Sequence, residues 1–185
     1  VSSRWSCSPG WSWFAGMDAG GPAMIASREA YSGDMDIVTY VAAKMMPAGE
    51  RLTDLHLVAC AADTPGESGY HFILGGQVNT MTALLRNGQQ VLESPWRIPQ
   101  TALHNDWLRL MLRRRGAKLT LSAWDTPVLE WEDPQPLPGG RIKLGTFQNG
   151  VIIPRVSVFA RQPVHNLLPE PPAAPVANAP GAGAP

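Results

Sequence analysis

Net charge is what this chain most plainly lacks. Fifteen basic side chains face 15 acidic ones across 185 residues, and charged residues make up 16% of the total. With no excess of either sign there is no long-range field to draw in nucleic acid or an anionic membrane, and both are set aside as partners. Cysteine is scarce too: Cys7 and Cys60 lie far apart and match no CxxC or zinc spacing. They are either two buried thiols or one long-range disulfide, which would add roughly 3–4 kcal/mol and imply an oxidising compartment. His56, His71, His104 and His165 are scattered and form no ligand pair, so zinc is not expected. No apolar run reaches the roughly 18–20 residues of a membrane helix. No Gly-x-Ser-x-Gly elbow occurs, and Gly75-Gly76 lacks the downstream glycine and helix of a nucleotide site. A signal peptide is missing, and the first residue is Val rather than Met, so a processed form or a piece of a longer protein is expected.

What the chain has in quantity is turn formers, 18 Gly and 18 Pro, and alternation. Leu108, Leu110 and Leu112 fall two apart, as do Leu119, Leu121 and Ala123, with Gly116 between the runs. A period of two means a strand with one buried face. Val128 to Glu132 follows after a turn at Asp125 and Pro127, which completes a β-meander. Its leucine face covers a core, and its other face shows Trp107, Arg109, Arg113, Thr120, Ser122 and Trp124. Alternation also predicts strands at 23–27, 34–44 (Met35, Ile37, Thr39, Val41 and Ala43 inward), 54–61, 69–76 and 79–86. Asn87-Gly88 is the strongest hairpin signal, leading into 89–93. After an irregular crossing at 94–104 and the meander come a strand at 141–147, a second expected hairpin at Asn149-Gly150, and a strand at 151–159. Pro154 cannot donate to a ladder, so it belongs at an edge or bulge. Roughly ten strands and no amphipathic helix define an all-β fold, a two-sheet antiparallel β-sandwich.

The ends differ from the middle. Residues 1–22 carry Trp5, Trp11, Trp13 and Phe14 without a clear period. They are expected to form a loop or edge strand pinned over the sheet by its indoles, with a sugar-stacking platform as the alternative. Residues 162–185 are rich in Pro, Ala and Gly and form a tail or linker. The sandwich domain is therefore bounded at 23–161.

The order of the last strands carries a resemblance. A Trp-bearing strand, a basic turn, the run Pro136-Leu137-Pro138-Gly139-Gly140-Arg141-Ile142-Lys143-Leu144-Gly145-Thr146-Phe147, and a closing strand from Ile152 to Phe159 follow one another. This resembles the C-terminal half of concanavalin A-like lectin/glucanase jelly rolls, the laminin G-like domains among them, over roughly residues 23 to 160. The resemblance implies a jelly-roll sandwich and a non-catalytic carbohydrate-binding module of a secreted or cell-envelope protein. Trp107, Arg109, Thr120 and Trp124 would contact the glycan, extended by His71, Asn79 and Arg86 on a neighbouring hairpin. Two other readings stand beside it. One is a structural or assembly domain of a larger surface protein, in which exposed indoles meet a neighbouring protein or a second copy. The other is a glycoside hydrolase using Glu130 and Glu132, although these fall later in the chain than the glucanase motif. No cofactor is implied. Calcium would need ligands from Asp34, Asp36, Asp63 and Asp125, among which no spacing selects.

Overall fold

The computed structural model describes residues 4–7, 14–17, 21–44, 54–63, 67–99, 107–160 and 163–164; for 4–7, 14–17, 43–44 and 163–164 the backbone alone is described. Alternation becomes two antiparallel sheets. The first contains β1 (Arg4–Cys7), β2 (Phe14–Met17), β4 (Met35–Lys44), β9 (Leu108–Arg115), β10 (Lys118–Ala123), β11 (Thr126–Glu132) and β13 (Gly150–Ala160), ordered β1-β2-β13-β4-β9-β10-β11. The second contains β3 (Pro22–Ser32), β5 (Leu55–Ala61), β6 (Tyr70–Gly75), β7 (Met81–Arg86), β8 (Gln89–Ser94), β12 (Gly139–Phe147) and β14 (Pro163–Val164), ordered β14-β3-β12-β5-β6-β7-β8. A sheet with one apolar face must cover it, and two such sheets do so for each other.

The core is the set of inward positions. Leu108, Leu110, Leu112, Leu119 and Leu121 are buried and meet Leu57, Phe72, Leu74 and Leu84 of the facing sheet. Met35, Ile37, Thr39 and Val41 are buried as their spacing predicts. Burying each large side chain contributes about 1.5–3 kcal/mol, so the leucine face of the meander fixes its register. Arg114 shares that inward parity. It lies buried, with Nη1 on the Cys60 thiol at 3.0 Å and Nη2 donating to the Leu137 carbonyl at 2.5 Å. Cys60 is a free, buried thiol raised above its ordinary pKa by burial, so the bridge to Cys7 is not made in this structure. The Cys7 side chain lies outside the described residues.

Several expectations are corrected. The strand expected at 23–27 runs from Pro22 to Ser32, because a bulge at Ser27 to Glu29, opposite Arg141–Lys143, interrupts the alternation without ending the ladder. Asn149-Gly150 does not close a hairpin. β12 and β13 belong to different sheets, so this turn carries the chain across the sandwich. Within 1–22, the described stretches Arg4–Cys7 and Phe14–Met17 are strands at the edge of the first sheet, β2 pairing with Gly150–Ile153. Trp11 and Trp13 lie outside the described residues. The region assigned to the tail contributes β14, paired with Tyr31 and Ala30 of β3. Other signals hold. Asn87 and Gly88 have φ of 49° and 82°, as a two-residue hairpin requires. Pro154 falls in the bulge between Ile152 and Arg155.

Candidate functional site

The meander presents its polar side on the outer face of the first sheet. Trp107 immediately precedes β9 and Trp124 immediately follows β10, so both sit at one end of the β9–β10 pair. They are 41% and 39% exposed, which leaves indole surface open for stacking. Trp124 Nε1 donates to the Trp107 carbonyl at 3.3 Å, and the Trp124 amide donates to the Arg109 carbonyl at 2.9 Å. Trp124 and Asp125 adopt φ of 47° and 75°, the left-handed pair of a tight β10–β11 turn. That turn brings Asp125 onto Arg109, whose Nη1 donates to the carboxylate. The hydrogen bond that Arg109 donates to Asp125, and the charge of that carboxylate, raise the Arg109 pKa above its ordinary value. Tyr40 lies opposite Arg109 in the β4–β9 ladder.

Further along the face, Arg113 Nε and Arg115 Nη2 grip the two oxygens of Asp36 at 3.2 and 2.8 Å. Burial pushes the Asp36 carboxyl up, but the bonds from Arg115 and Arg113 and their charges carry it below the usual carboxylate range. Glu130 accepts from Thr120 Oγ1 at 3.2 Å and pairs with Lys118 at 3.3 Å. Met111, Arg113, Thr120, Ser122, Pro127 and Glu130 border a depression of about 340 Å³. The face thus offers indole surface, guanidinium donors and carboxylate acceptors, in which Arg109, Arg113, Arg115 and Lys118 are each held by an acid.

The structure places Trp107, Arg109 and Trp124 at one end of the β9–β10 pair, sets Thr120 opposite Arg113 further along the same face, and sends the other three expected residues elsewhere. His71 lies in the second sheet, on its outer side, against His56. Asn79 clamps the chain at Ile98, donating to its carbonyl at 2.8 Å and accepting from its amide at 3.0 Å. Arg86 donates to the buried Asp133 at 2.8 Å and to the Gln135 carbonyl at 2.6 Å. The Tyr70 hydroxyl joins this knot, donating to Asp133 at 2.7 Å and accepting from the Leu137 amide at 2.7 Å. Burial is the main reason its pKa is pushed up to about 12. Sequence reasoning does not place Tyr40 on this face, nor Asp36 and Asp125 there as partners of its arginines. Tyr40 and Asp36 alternate with the buried Ile37 and Thr39, so parity marks them as outward; only the β4–β9 pairing places them beside Arg109 and Arg113. The carboxylates considered for calcium are largely taken up by the chain itself: Asp34 accepts from the Gly116 amide, Asp36 pairs with Arg113 and Arg115, Asp63 with Arg141, and Asp125 with Arg109. Among the described residues, no group of three or more His, Cys, Asp or Glu side chains is arranged to hold a metal.

Two stacked antiparallel sheets of this order make the chain a lectin-like jelly-roll β-sandwich. It is similar to the solved structure of the carbohydrate binding module CBM66 from Bacillus subtilis, at 16% identity and a TM-score of 0.68, over 86% of this chain and 92% of that one. A Bacillus subtilis protein of unknown function with a galectin-like fold superposes with a TM-score of 0.67 at 13% identity, over 85% and 86% of the two chains. The exoplasmic/lumenal domain of VIP36, in a Ca2+/Man3GlcNAc-bound form, matches at 8% identity and a TM-score of 0.60, over 90% and 84%. No protein-family model matches the sequence, and no curated protein matches it.

Proposed function

We propose that this chain is a non-catalytic carbohydrate-binding module of the concanavalin A-like, laminin G-like kind, from a secreted or cell-envelope protein. The observation that carries the proposal is the Trp107–Trp124 pair beside the Arg109–Asp125 ion pair. An indole face complements the C–H face of a pyranose, while a neighbouring guanidinium and carboxylate serve vicinal hydroxyls as donor and acceptor. Because the meander's own cations Arg109, Arg113, Arg115 and Lys118 are already matched by acids, it favours neutral glycans over sulfated or uronate ones. Glu130 is held by Lys118 and Thr120, an arrangement suited to accepting hydrogen bonds rather than to moving protons. Solved structures of a carbohydrate binding module and of a Man3GlcNAc-bound exoplasmic/lumenal domain share the fold, which supports the reading. An array of neutral, uronate and sulfated glycans tests it: retention of neutral glycans is expected, and retention of none, or of anionic glycans alone, overturns it.

An assembly domain is the second reading. It is favoured by Phe159 and Val156, exposed at 64% and 39% on β13 beyond the last residue that pairs with β2. A concentration-dependent dimer in light scattering, without glycan binding, would replace the first reading with this one.

A further inference from the structure

The second sheet has an outer face of its own, and its centre is hollow. Gly145, in the central strand β12, lies between Met24 of β3 and His56 of β5 in the ladder. A Cβ there would stand 2.0 Å from the Ala23 carbonyl oxygen and 2.5 Å from the Met24 sulfur, so only glycine fits and the Met24 side chain can lie across the strand. A cavity of about 350 Å³ opens beside it. Its apolar wall includes Met24, Phe147 and Val58; its polar wall is His56, His71 and Lys143.

The polar wall is ordered from behind. Asp54 Oδ1 lies 2.6 Å from His56 Nε2, and His56 Nδ1 lies 2.9 Å from His71 Nε2. Asp54 thus orients the His56 ring, and His56 in turn orients His71 through the Nδ1–Nε2 contact. Lys143, half-buried beside them, is paired with no carboxylate among the described residues. Glu67 sits exposed at the rim. The next strand, β7, sets the uncharged Leu85 opposite His71. An ammonium without a salt-bridge partner, next to two ordered imidazoles and an apolar wall, is a receptor for an anion that has an apolar body.

We propose that this hollow is a second binding site, on the opposite side of the sandwich from the indole pair, for a small carboxylate with an apolar flank, the carboxylate on Lys143 and the flank on Met24 and Phe147. Binding draws a proton onto His71 as the pH falls, because an adjacent anion favours the imidazolium. The site does not depend on the glycan face.

The test is calorimetric titration of the whole chain with benzoate and with benzyl alcohol, its uncharged counterpart, at pH 7.5 and 5.5. Benzoate is expected to bind about tenfold more tightly than benzyl alcohol, and more tightly at pH 5.5 than at 7.5. Lys143→Met should abolish the preference and Lys143→Arg should keep it. Trp124→Ala, on the other face, should leave benzoate binding unchanged, so loss of the glycan reading would not touch this one. Equal binding of the two probes to the unmodified chain, or no saturable benzoate binding at either pH, overturns the proposal whether or not Lys143→Met folds; so does a preference that survives in that variant.

Discussion

His71 makes the stability of this domain sensitive to mild acid. Burial first, then the charges of His56 and Lys143, holds its pKa down at about 4 against an ordinary 6.5. The unfolded chain therefore takes up a proton near pH 6.5 that the folded chain refuses until near pH 4. Stability from the neutral ring is fully present above pH 6.5 and is lost as pH falls from 6.5 to 4. The whole gap is worth about 3 kcal/mol, of which about 2 kcal/mol is gone by pH 5. Asp36 and Asp133 are held below their ordinary value of 3.8, so their contribution is lost only at more acid pH and does not act in this window. The perturbation is His71→Gln, which keeps a polar planar group and removes the titration. Urea unfolding at pH 7.5 and 5.0 reads the result: the native chain should lose about 2 kcal/mol more than the variant between those values. A parallel loss in both would refute the reasoning.

Three further outcomes follow from the packing. Leu110→Ala opens a hole in the middle of the leucine face and should cost about 2–5 kcal/mol in urea unfolding; a cost under about 1 kcal/mol would mean that the sheets are not apposed there. Tyr70→Phe leaves the Asp133 carboxylate and the Leu137 amide short of a partner and should cost about 1–3 kcal/mol by the same assay, whereas an unchanged midpoint would break the Tyr70–Asp133 knot. Cys60 should resist a thiol reagent in the folded chain and react once urea unfolds it, as located by peptide mass mapping; rapid labelling of the native chain would contradict its burial.

The meander was legible because its signal is local. Leu108 to Ala123 alternate about Gly116, and nothing else is needed to set that hairpin's two faces. Asn87-Gly88 was legible for the same reason. Asn149-Gly150 misled because dipeptide chemistry specifies a turn, not which sheet the outgoing strand joins; that choice depends on β4, more than a hundred residues earlier in the chain. The candidate face divides along the same line. Arg109 and Thr120 share outward parity on the paired strands β9 and β10, and Trp107 and Trp124 flank those strands at one end, so the sequence alone sets them on one face. Tyr40 and Asp36 reach the face through the β4–β9 ladder, which no local pattern reveals. His71 and Arg86 were grouped with the indoles on the strength of a neighbouring hairpin, yet that hairpin lies in the other sheet. The hollow beside Met24 and His56 had no sequence signal, since its walls come from β3, β5, β6 and β12, which only the ladder pairings bring together.

The measurement that bears most directly on the central claim is calorimetric titration of the best neutral glycan from the array into the native chain and into Trp124→Ala. With the indole stacked on the sugar, the substitution should weaken binding by about 2 kcal/mol, close to thirtyfold, with the unfolding midpoint preserved. An unchanged dissociation constant in a folded Trp124→Ala chain would contradict the assignment of this face.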